Sequence, residues 1–241
     1  MSWDRTPPEL EGPIDNESKH LLAGVTHDCA EPQAGSVQYP KMIGTTWMSR
    51  EQALDGAVIR AAIRPAVSVV DVGSGINPQS LVTARIHICV DPFLPYLERL
   101  RQDFGDDRFV LVHATWDKVL PLLPDASIDS VFALDVIEHL ETAEATRLLE
   151  EMLRVARTQV VVFTPLGFYP QAYEAGDTDR WGMTGSAWQV HHSGWEPDDF
   201  PEWRIFACRE YHLVDQHERP LAQPVGAFWA IRDLACDDSS G

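Results

Sequence analysis

The stretch Ala66-Val-Ser-Val-Val-Asp-Val-Gly-Ser-Gly75 decides the fold class. Its first seven residues are mostly apolar and β-branched, which is typical of a strand, and the glycines that follow permit a tight turn. The apolar positions are nearly continuous and do not alternate with polar ones, so the strand is expected to be buried on both faces. Such a strand indicates a parallel sheet covered by helices on either side.

The pattern continues outward from this strand as an alternation of short apolar runs and amphipathic stretches. Upstream, a helix is predicted from the capping residue Ser49 to Pro65. The two strands predicted nearest the end of the chain, Arg209–Val214 and Val225–Ile231, are close enough in sequence to be antiparallel. Downstream of Gly75 the predicted elements are a helix over Pro78–Ala84, a strand Ile86–Val90, a helix Tyr96–Phe104, strands Phe109–His113 and Ser130–Leu134, a helix Thr142–Arg157, and strands Val160–Phe163, Arg209–Val214 and Val225–Ile231.

The chain of 241 residues divides into three segments by composition. Residues 1–48 are predicted to be an N-terminal arm, because their first forty are rich in Pro, Gly, Asp and Glu and poor in aliphatic runs. Residues 49–241 are predicted to be one α/β domain. Within it, residues 166–203 form an aromatic-rich insertion before the last two strands. A connection of this length is typical of a lid or binding wall, although its tryptophans also suit a small core of their own.

Composition limits the classes of partner. Asp and Glu number 37 against 19 Lys and Arg, a formal charge of -18, which disfavours nucleic acids and anionic membranes. No apolar run is long enough to cross a bilayer and no leader pattern is visible, so we expect a cytoplasmic protein. The four cysteines are widely spaced and predict neither disulfides nor a thiolate zinc site. A homodimer is compatible with the sequence.

Two strand ends carry residues that suit a nucleoside ligand. The turn Gly73-Ser74-Gly75 lets a ligand approach the backbone, and Asp91 follows the next strand, about 20 residues beyond Asp71, where a carboxylate accepts from both ribose hydroxyls. The glycines also suit a simple turn, and Asp91 a capping role. Pro78 stands where a dinucleotide fingerprint has its third glycine, which counts against NAD. The extra carboxylate of Asp71 favours a ligand with an ammonium group, such as S-adenosylmethionine.

These segments resemble the class I S-adenosylmethionine-dependent methyltransferases over about residues 50–165. The resemblance lies in Val69-Val-Asp-Val-Gly-Ser-Gly75, in Val90-Asp-Pro92, and most closely in Val131-Phe-Ala-Leu-Asp-Val-Ile-Glu-His-Leu140. It implies a Rossmann-like, doubly wound, mostly parallel sheet of seven strands with an antiparallel last strand. The chain departs from many members at Ile76-Asn77, where a small residue is common.

The resemblance also implies a set of cofactor-binding residues. Their expected contacts run from the methionine part of the cofactor through the ribose and adenine to the sulfonium. Asp71 and the loop Gly73, Ser74 and Gly75 would hold the methionine part, Asp91 the ribose, Pro92 and Phe93 one face of the adenine, Thr115 and Trp116 its other side, and Asp135 and Val136 would border the sulfonium.

The sequence predicts the acceptor less specifically than it predicts the cofactor. The segment from Thr164 to Trp195 is similar to a bacterial subgroup often found among small-molecule and saccharide modification enzymes, and this similarity narrows the fold and not the substrate. The predicted acceptor is a small polar molecule, methylated on a hydroxyl. A hydroxyl needs a base near neutral pH, which histidine supplies. The candidates are His139 and either His191 or His192, of which His192 is favoured.

Other chemistries stay open at this point. Asp135, Glu138 and Asp117 could hold a hard cation, but a metal is not predicted. A nicotinamide-dependent oxidoreductase and a non-catalytic module on the same fold are the alternatives to a methyltransferase.

Overall fold

A computed structural model of the chain describes residues 44–105, 107–174 and 176–234. In this part of the chain eight strands form one sheet in the order β1-β7-β8-β6-β5-β2-β3-β4. The strands are β1 (Thr45–Trp47), β2 (Ser68–Val72), β3 (Ile86–Asp91), β4 (Val110–His113), β5 (Ile128–Leu134), β6 (Ala156–Pro165), β7 (Arg204–Val214) and β8 (Pro220–Asp233). The helices are α1 (Arg50–Asp55), α2 (Ala57–Ala62), α3 (Leu94–Phe104), α4 (Trp116–Val119) and α5 (Thr142–Val155).

The sheet has the predicted mixed character. β8 runs antiparallel to both of its neighbours, β6 and β7, and every other pairing is parallel. The expectation of a doubly wound sheet with an antiparallel last strand is confirmed. Helices cover both faces, and the buried side chains of β2 and β5 supply apolar residues to a core on each side. No described helix is long and apolar enough to cross a membrane.

The strand count exceeds the seven expected because β1 joins the edge of the sheet. β1 pairs in parallel with β7, and Met48 continues the pairing by donating its backbone N–H to Ala207. These residues fall within the segment 1–48 that the sequence assigns to the arm. Residues 1–43, which hold the rest of that segment, lie outside the described part of the chain, so the arm stays a prediction.

Two predicted helices differ from the structure. The helix expected between Ser49 and Pro65 is split into α1 and α2 by Gly56, whose φ of 70° ends the first of them. The prediction of a helix at Pro78–Ala84 is wrong, because residues 76–85 form a loop. The Gln79 side chain organises this loop: its oxygen accepts from the backbone of Leu81 and Val82, and its amide donates to the Val82 carbonyl.

A buried carboxylate fixes the start of β2 against β5. Asp129 accepts hydrogen bonds from the backbone N–H groups of Val67 and Ser68 at 2.8 and 2.9 Å, and it pairs with the guanidinium of Arg157. These bonds hold its pKa below the ordinary value in spite of burial. Asp129 therefore positions the strand that carries the glycine turn.

Candidate active site

A cavity of about 590 Å³ opens at the carboxyl ends of β2, β3 and β5. β2 and β5 are neighbours in the sheet although two other strands separate them in the chain, so this is the point where the strand order reverses and where ligands bind in such sheets. The cavity is lined by Val72, Gly73, Ser74, Gly75, Ile76, Asn77, Val90, Asp91, Pro92, Tyr96, Ala114, Thr115, Trp116, Leu134, Asp135, Val136, His139, Leu140, Glu141, Glu144, Arg180, Trp181, Ala187, Trp188, Gln189 and His192.

The glycine turn forms one wall of this cavity. Gly73 and Gly75 both have positive φ, at 63° and 54°, a backbone conformation that other residues rarely adopt. A side chain at Gly73 would also meet Val136, since its Cβ would lie 2.6 Å from Cγ2 of that valine. No atom stands within 4 Å of a Cβ built on Gly75, so the backbone there is open to a ligand.

Asp91 lies at the end of β3 and is buried, with 4% of its surface exposed. Its Oδ2 accepts from the Gly75 N–H at 2.9 Å and its Oδ1 from the Phe93 N–H at 2.8 Å. Each oxygen keeps a further lone pair, which is what a ribose diol needs. Burial raises the pKa of Asp91 to about 6, against the lowering effect of the two backbone N–H groups.

Two of the predicted cofactor residues do not line the cavity. The Oδ2 atom of Asp71 accepts from the backbone N–H of Gln79 at 2.6 Å and faces Nε2 of His87 at 3.4 Å. Asp71 therefore shapes the loop that follows the glycine turn. Phe93 packs edge-on against Tyr96, with ring centroids 4.8 Å apart, and it is Tyr96 that contributes to the cavity wall.

Thr115 and Trp116 lie at the start of α4 and line the cavity as expected. Trp116 is buried, and the guanidinium of Arg147 lies 5.8 Å from the centre of its ring. Thr115 donates to Oδ1 of Asp117 at 2.5 Å, and Lys118 donates to Oδ2. The Asp117 carboxylate, one of the three that could hold a hard cation, is thus hydrogen-bonded to Thr115 and Lys118 at the surface. Glu138, by contrast, is buried.

Asp135 and Val136 follow β5 and line the cavity, and Val136 lies directly against Gly73 of the glycine turn. Asp135 has a φ of 53°, uncommon for a residue other than glycine, and its N–H donates to the Phe163 carbonyl at 2.9 Å. Desolvation by the surrounding cavity walls raises the pKa of Asp135 to about 6, although its side chain is exposed to the cavity and the charge of Arg180 opposes the shift. Strained turns of this kind often lie at functional sites.

The histidines considered as bases differ in environment. His139 lines the cavity, and burial lowers its pKa to about 3, which makes it a weak base. His191 is buried and lies outside the cavity lining. His192 lines the cavity with 44% of its side chain exposed, and its Nδ1 is 3.7 Å from Oε1 of Glu141. Its backbone N–H donates to the Glu138 carbonyl, so the main chain is anchored independently of the side chain.

The aromatic insertion contributes tryptophans both to the cavity and to the core. Trp181 and Trp188 line the cavity, and Trp188 is 46% exposed. Trp195 and Trp203 are buried in the core on one face of the sheet. The insertion is therefore a binding wall in its middle and a packing element at its end.

A hydrogen bond between α3 and the insertion, which the sequence did not indicate, holds this wall in place. The Tyr96 hydroxyl, from α3, donates to Oδ2 of Asp179 at 2.5 Å, and Oδ1 of Asp179 accepts from the N–H groups of Trp181 and Met183. Gly185 packs so closely on the Tyr96 hydroxyl that a side chain there would clash. No local pattern signals a contact between residues 83 positions apart in the chain.

The donor set fits S-adenosylmethionine better than a dinucleotide. Asp91 suits the ribose diol and Asp135 offers a carboxylate toward a cationic group. A dinucleotide places its pyrophosphate at the N-terminus of the helix after the first strand. The loop of residues 76–85, which the structure describes in full, provides no such helix.

Comparison with known proteins agrees with this geometry. Residues 70–164 match the family model described as a methyltransferase domain. No curated protein matches the chain in sequence. Solved structures with a similar fold include magnesium protoporphyrin IX methyltransferase from Synechocystis PCC 6803 with bound SAM, at 13% identity and a TM-score of 0.46, covering 76% of this chain and 79% of that one.

Another is an S-adenosylmethionine-dependent methyltransferase from Mesorhizobium loti, at 15% identity and a TM-score of 0.47, covering 76% of this chain and 100% of that one. The matched segment contains the glycine turn, Asp91, and the loop of Asp135 and His139, which line the cavity. The family model and the geometry of the cavity therefore support a methyltransferase domain that uses S-adenosylmethionine over residues 70–164.

Proposed function

We propose that this methyltransferase transfers the methyl group to a hydroxyl of a small polar acceptor, such as a saccharide or a natural product. The proposal depends mainly on one observation: Trp181, Trp188 and His192 line the same cavity as Asp91 and Asp135. An aromatic wall, a histidine and the proposed cofactor residues thus share one open cavity. Its volume of about 590 Å³ lies within the range of small-molecule sites.

The chemistry of the wall favours a polar ring as acceptor. Tryptophan faces pack on the apolar faces of sugar or aromatic rings, while a few polar groups fix the orientation. Here those groups are Gln189, Glu141 and Glu144, which also line the cavity. The acidic lining and the net charge of -18 disfavour phosphate-rich acceptors.

His192 is the proposed base. Methyl transfer is an in-line displacement at the sulfonium, with the hydroxyl oxygen as nucleophile, so the site mainly orients the two reactants and excludes water. The hydroxyl proton has to leave as the new C–O bond forms. The partly exposed His192 can accept it and pass it to solvent, with Glu141 near its other ring nitrogen.

The bound cofactor supplies the electrophilic methyl group. Asp91 holds the ribose, the loop from Gly73 to Gly75 receives the methionine part against its open backbone, and Thr115 and Trp116 enclose the adenine. Asp71 supports this loop from behind, through the N–H of Gln79. We retain Asp135 and Val136 at the sulfonium end because they line the same cavity as the glycine turn.

The experiment incubates the protein with S-adenosylmethionine carrying a ¹³C methyl group and a panel of saccharides and phenolic natural products. Release of S-adenosylhomocysteine identifies an acceptor, and the ¹³C chemical shift of the product distinguishes O-methyl from N-methyl and C-methyl. We expect an O-methyl product whose formation stops when the acceptor hydroxyl is replaced by hydrogen. A methyl group found on nitrogen, carbon or a macromolecule would contradict the proposal.

A further inference from the structure

Three potential metal ligands converge beside the cavity, and one of them, His139, lines it. Glu138, His139 and His191 each offer one ligand atom, and these atoms lie within 4.8 Å of one another. Glu138 and His139 belong to the turn that follows β5, and His191 belongs to the aromatic insertion. The fold therefore joins two parts of the chain 52 residues apart around one small volume.

Both imidazoles are already oriented as metal-binding histidines are. The Nδ1 atom of His139 is 3.1 Å from the Val190 carbonyl oxygen, and that of His191 is 2.6 Å from the Tyr169 carbonyl oxygen. A carbonyl can only accept, so each Nδ1 carries the hydrogen and each Nε2 carries a lone pair. A backbone carbonyl that accepts from the second ring nitrogen is the usual support of a histidine ligand.

Neither Nε2 atom has a hydrogen-bond partner among the described residues, although each ring is held firmly. The Tyr169 ring packs edge-on against His191, and its hydroxyl donates to the Val214 carbonyl in β7. The rings of His139 and His191 also meet edge to face, with centroids 4.8 Å apart. Two lone pairs are thus presented by side chains that have little freedom to turn.

Glu138 adds a buried carboxyl group to the two nitrogens. It is 2% exposed, and its Oε2 accepts from the Thr164 hydroxyl at 3.0 Å. A buried carboxylate needs a compensating positive charge or a proton. Burial, together with the charge of Asp135, raises the pKa of Glu138, and the two histidines of the cluster lie close to it.

We propose that Glu138, His139 and His191 form a binding site for one divalent transition metal ion of the borderline class, such as Zn²⁺, Fe²⁺ or Co²⁺. Two imidazole nitrogens and one carboxylate favour these ions over Mg²⁺ and Ca²⁺, which prefer sites built of oxygen. Ligands at about 2.1 Å from an ion lie ~3.4 Å apart in a tetrahedral site. The three side chains therefore need to close by about 1 Å or slightly more on binding.

A second cluster of similar composition lacks these properties. Asp71, His87 and Cys89 also lie close together, but Nε2 of His87 faces the Asp71 carboxylate at 3.4 Å and is not free. The contrast singles out the Glu138 cluster.

The position of the site gives the ion a role at the acceptor end. His139 lines the cavity, so coordination positions left free by the protein would face the bound acceptor. An ion there would bind acceptor oxygens and lower the pKa of a hydroxyl, which assists its attack on the methyl group. This role depends on the proposed function, whereas binding of the ion does not.

The test uses the full-length, tag-free protein after treatment with a chelator, titrated with Co²⁺ in the absence of cofactor and acceptor. We expect one equivalent to bind, visible d–d absorption bands, and imidazole ligation in the X-ray absorption spectrum. His191→Gln and Glu138→Gln should each weaken Co²⁺ binding at least tenfold. His217→Gln, which removes an exposed histidine in the turn between β7 and β8, should leave it unchanged.

The Co²⁺ titration of the wild-type protein tests the proposed metal site even if a variant fails to fold. Absence of saturable Co²⁺ binding, or a spectrum without imidazole ligands, would overturn the proposal. Equal binding by wild type, His191→Gln and Glu138→Gln, each with a cooperative unfolding transition, would also overturn it. Metal binding without O-methylation would refute the proposed acceptor chemistry and leave the ion site supported.

Discussion

The backbone N–H of Gly75 donates a hydrogen bond to Oδ2 of Asp91 over 2.9 Å. This bond joins the turn after β2 to the end of β3, and so joins the two cofactor motifs that lie 16 residues apart in sequence. Because Gly75 has positive φ and open space beside it, the bond orients the turn without filling the cavity. The affinity for the ribose and the shape of the glycine turn are therefore linked.

Cofactor affinity should depend on pH through Asp91. Its pKa of about 6 means that the carboxylate is ionised above pH 6 and takes up a proton below it. The ionised form accepts both ribose hydroxyls, so the dissociation constant of S-adenosylhomocysteine should rise as the pH falls from 7 to 5, approaching tenfold per unit. Calorimetric titration across this range measures the effect.

Asp91→Asn is the control for this pH dependence. Asp135 titrates in the same range and lines the same cavity, so it contributes to the wild-type profile. The Asn variant should bind more weakly at pH 7 and show a flatter profile. Superimposable profiles for the two proteins would assign the pH dependence to another group.

Stability should depend strongly on Asp129. Asp129→Ala leaves the N–H groups of Val67 and Ser68 and the Arg157 guanidinium without their acceptor, which should cost about 1–3 kcal/mol in urea unfolding at pH 7. Because the folded pKa of Asp129 is lowered, its contribution is present above pH ~4 and is lost as the pH falls through the folded pKa.

Asp103→Ala is the matched comparison for Asp129→Ala. Asp103 forms an exposed pair with Arg99, so its loss should change the free energy of unfolding by no more than about 0.5 kcal/mol. Equal effects of the two substitutions would show that Asp129 does not anchor β2.

Acceptor affinity should depend on Trp188. Trp188→Ala removes an exposed ring from the cavity wall and should raise the acceptor KM roughly 3-fold to 10-fold, the loss expected for one stacking contact. Phe168 is 56% exposed but lies outside the cavity lining, so Phe168→Ala should leave KM unchanged. Steady-state kinetics with an identified acceptor distinguish the two, and an unchanged KM in Trp188→Ala would remove this residue from the acceptor wall.

Turnover should depend on His192. Replacing it by Ala removes the proposed base but keeps the backbone bond from residue 192 to Glu138, so cofactor affinity should be retained while kcat falls about 10²-fold or more. His217→Ala is the matched exposed control. Full activity of the His192 variant would show that the reaction needs no base at this position.

The fold was largely predictable because its strands are apolar runs with clear boundaries. β1 was missed because Thr45-Thr-Trp47 is only three residues long, polar at two of them, and becomes a strand only by pairing with β7. The helix expected at Pro78–Ala84 fails because the Gln79 side chain bonds to the nearby backbone and competes with helical hydrogen bonds.

The cofactor side of the site was more predictable than the acceptor side. Asp91 and the glycine turn follow strands, and strand ends meet at one edge of a parallel sheet. The meeting of His191 with Glu138, and that of Asp179 with Tyr96, depend on how the long insertion folds back over the sheet. Contacts between such distant segments leave no periodic signal in the sequence.

The most direct test of the account is thermal unfolding with S-adenosylhomocysteine, with NADH as the competing ligand and Asp91→Ala as the variant. At 100 times its dissociation constant a ligand adds about 2.7 kcal/mol, or roughly 5–11 °C in a domain of this size. The account predicts this shift for wild type with S-adenosylhomocysteine alone, and its loss in Asp91→Ala. A shift with NADH, or an equal shift in the variant, would contradict it.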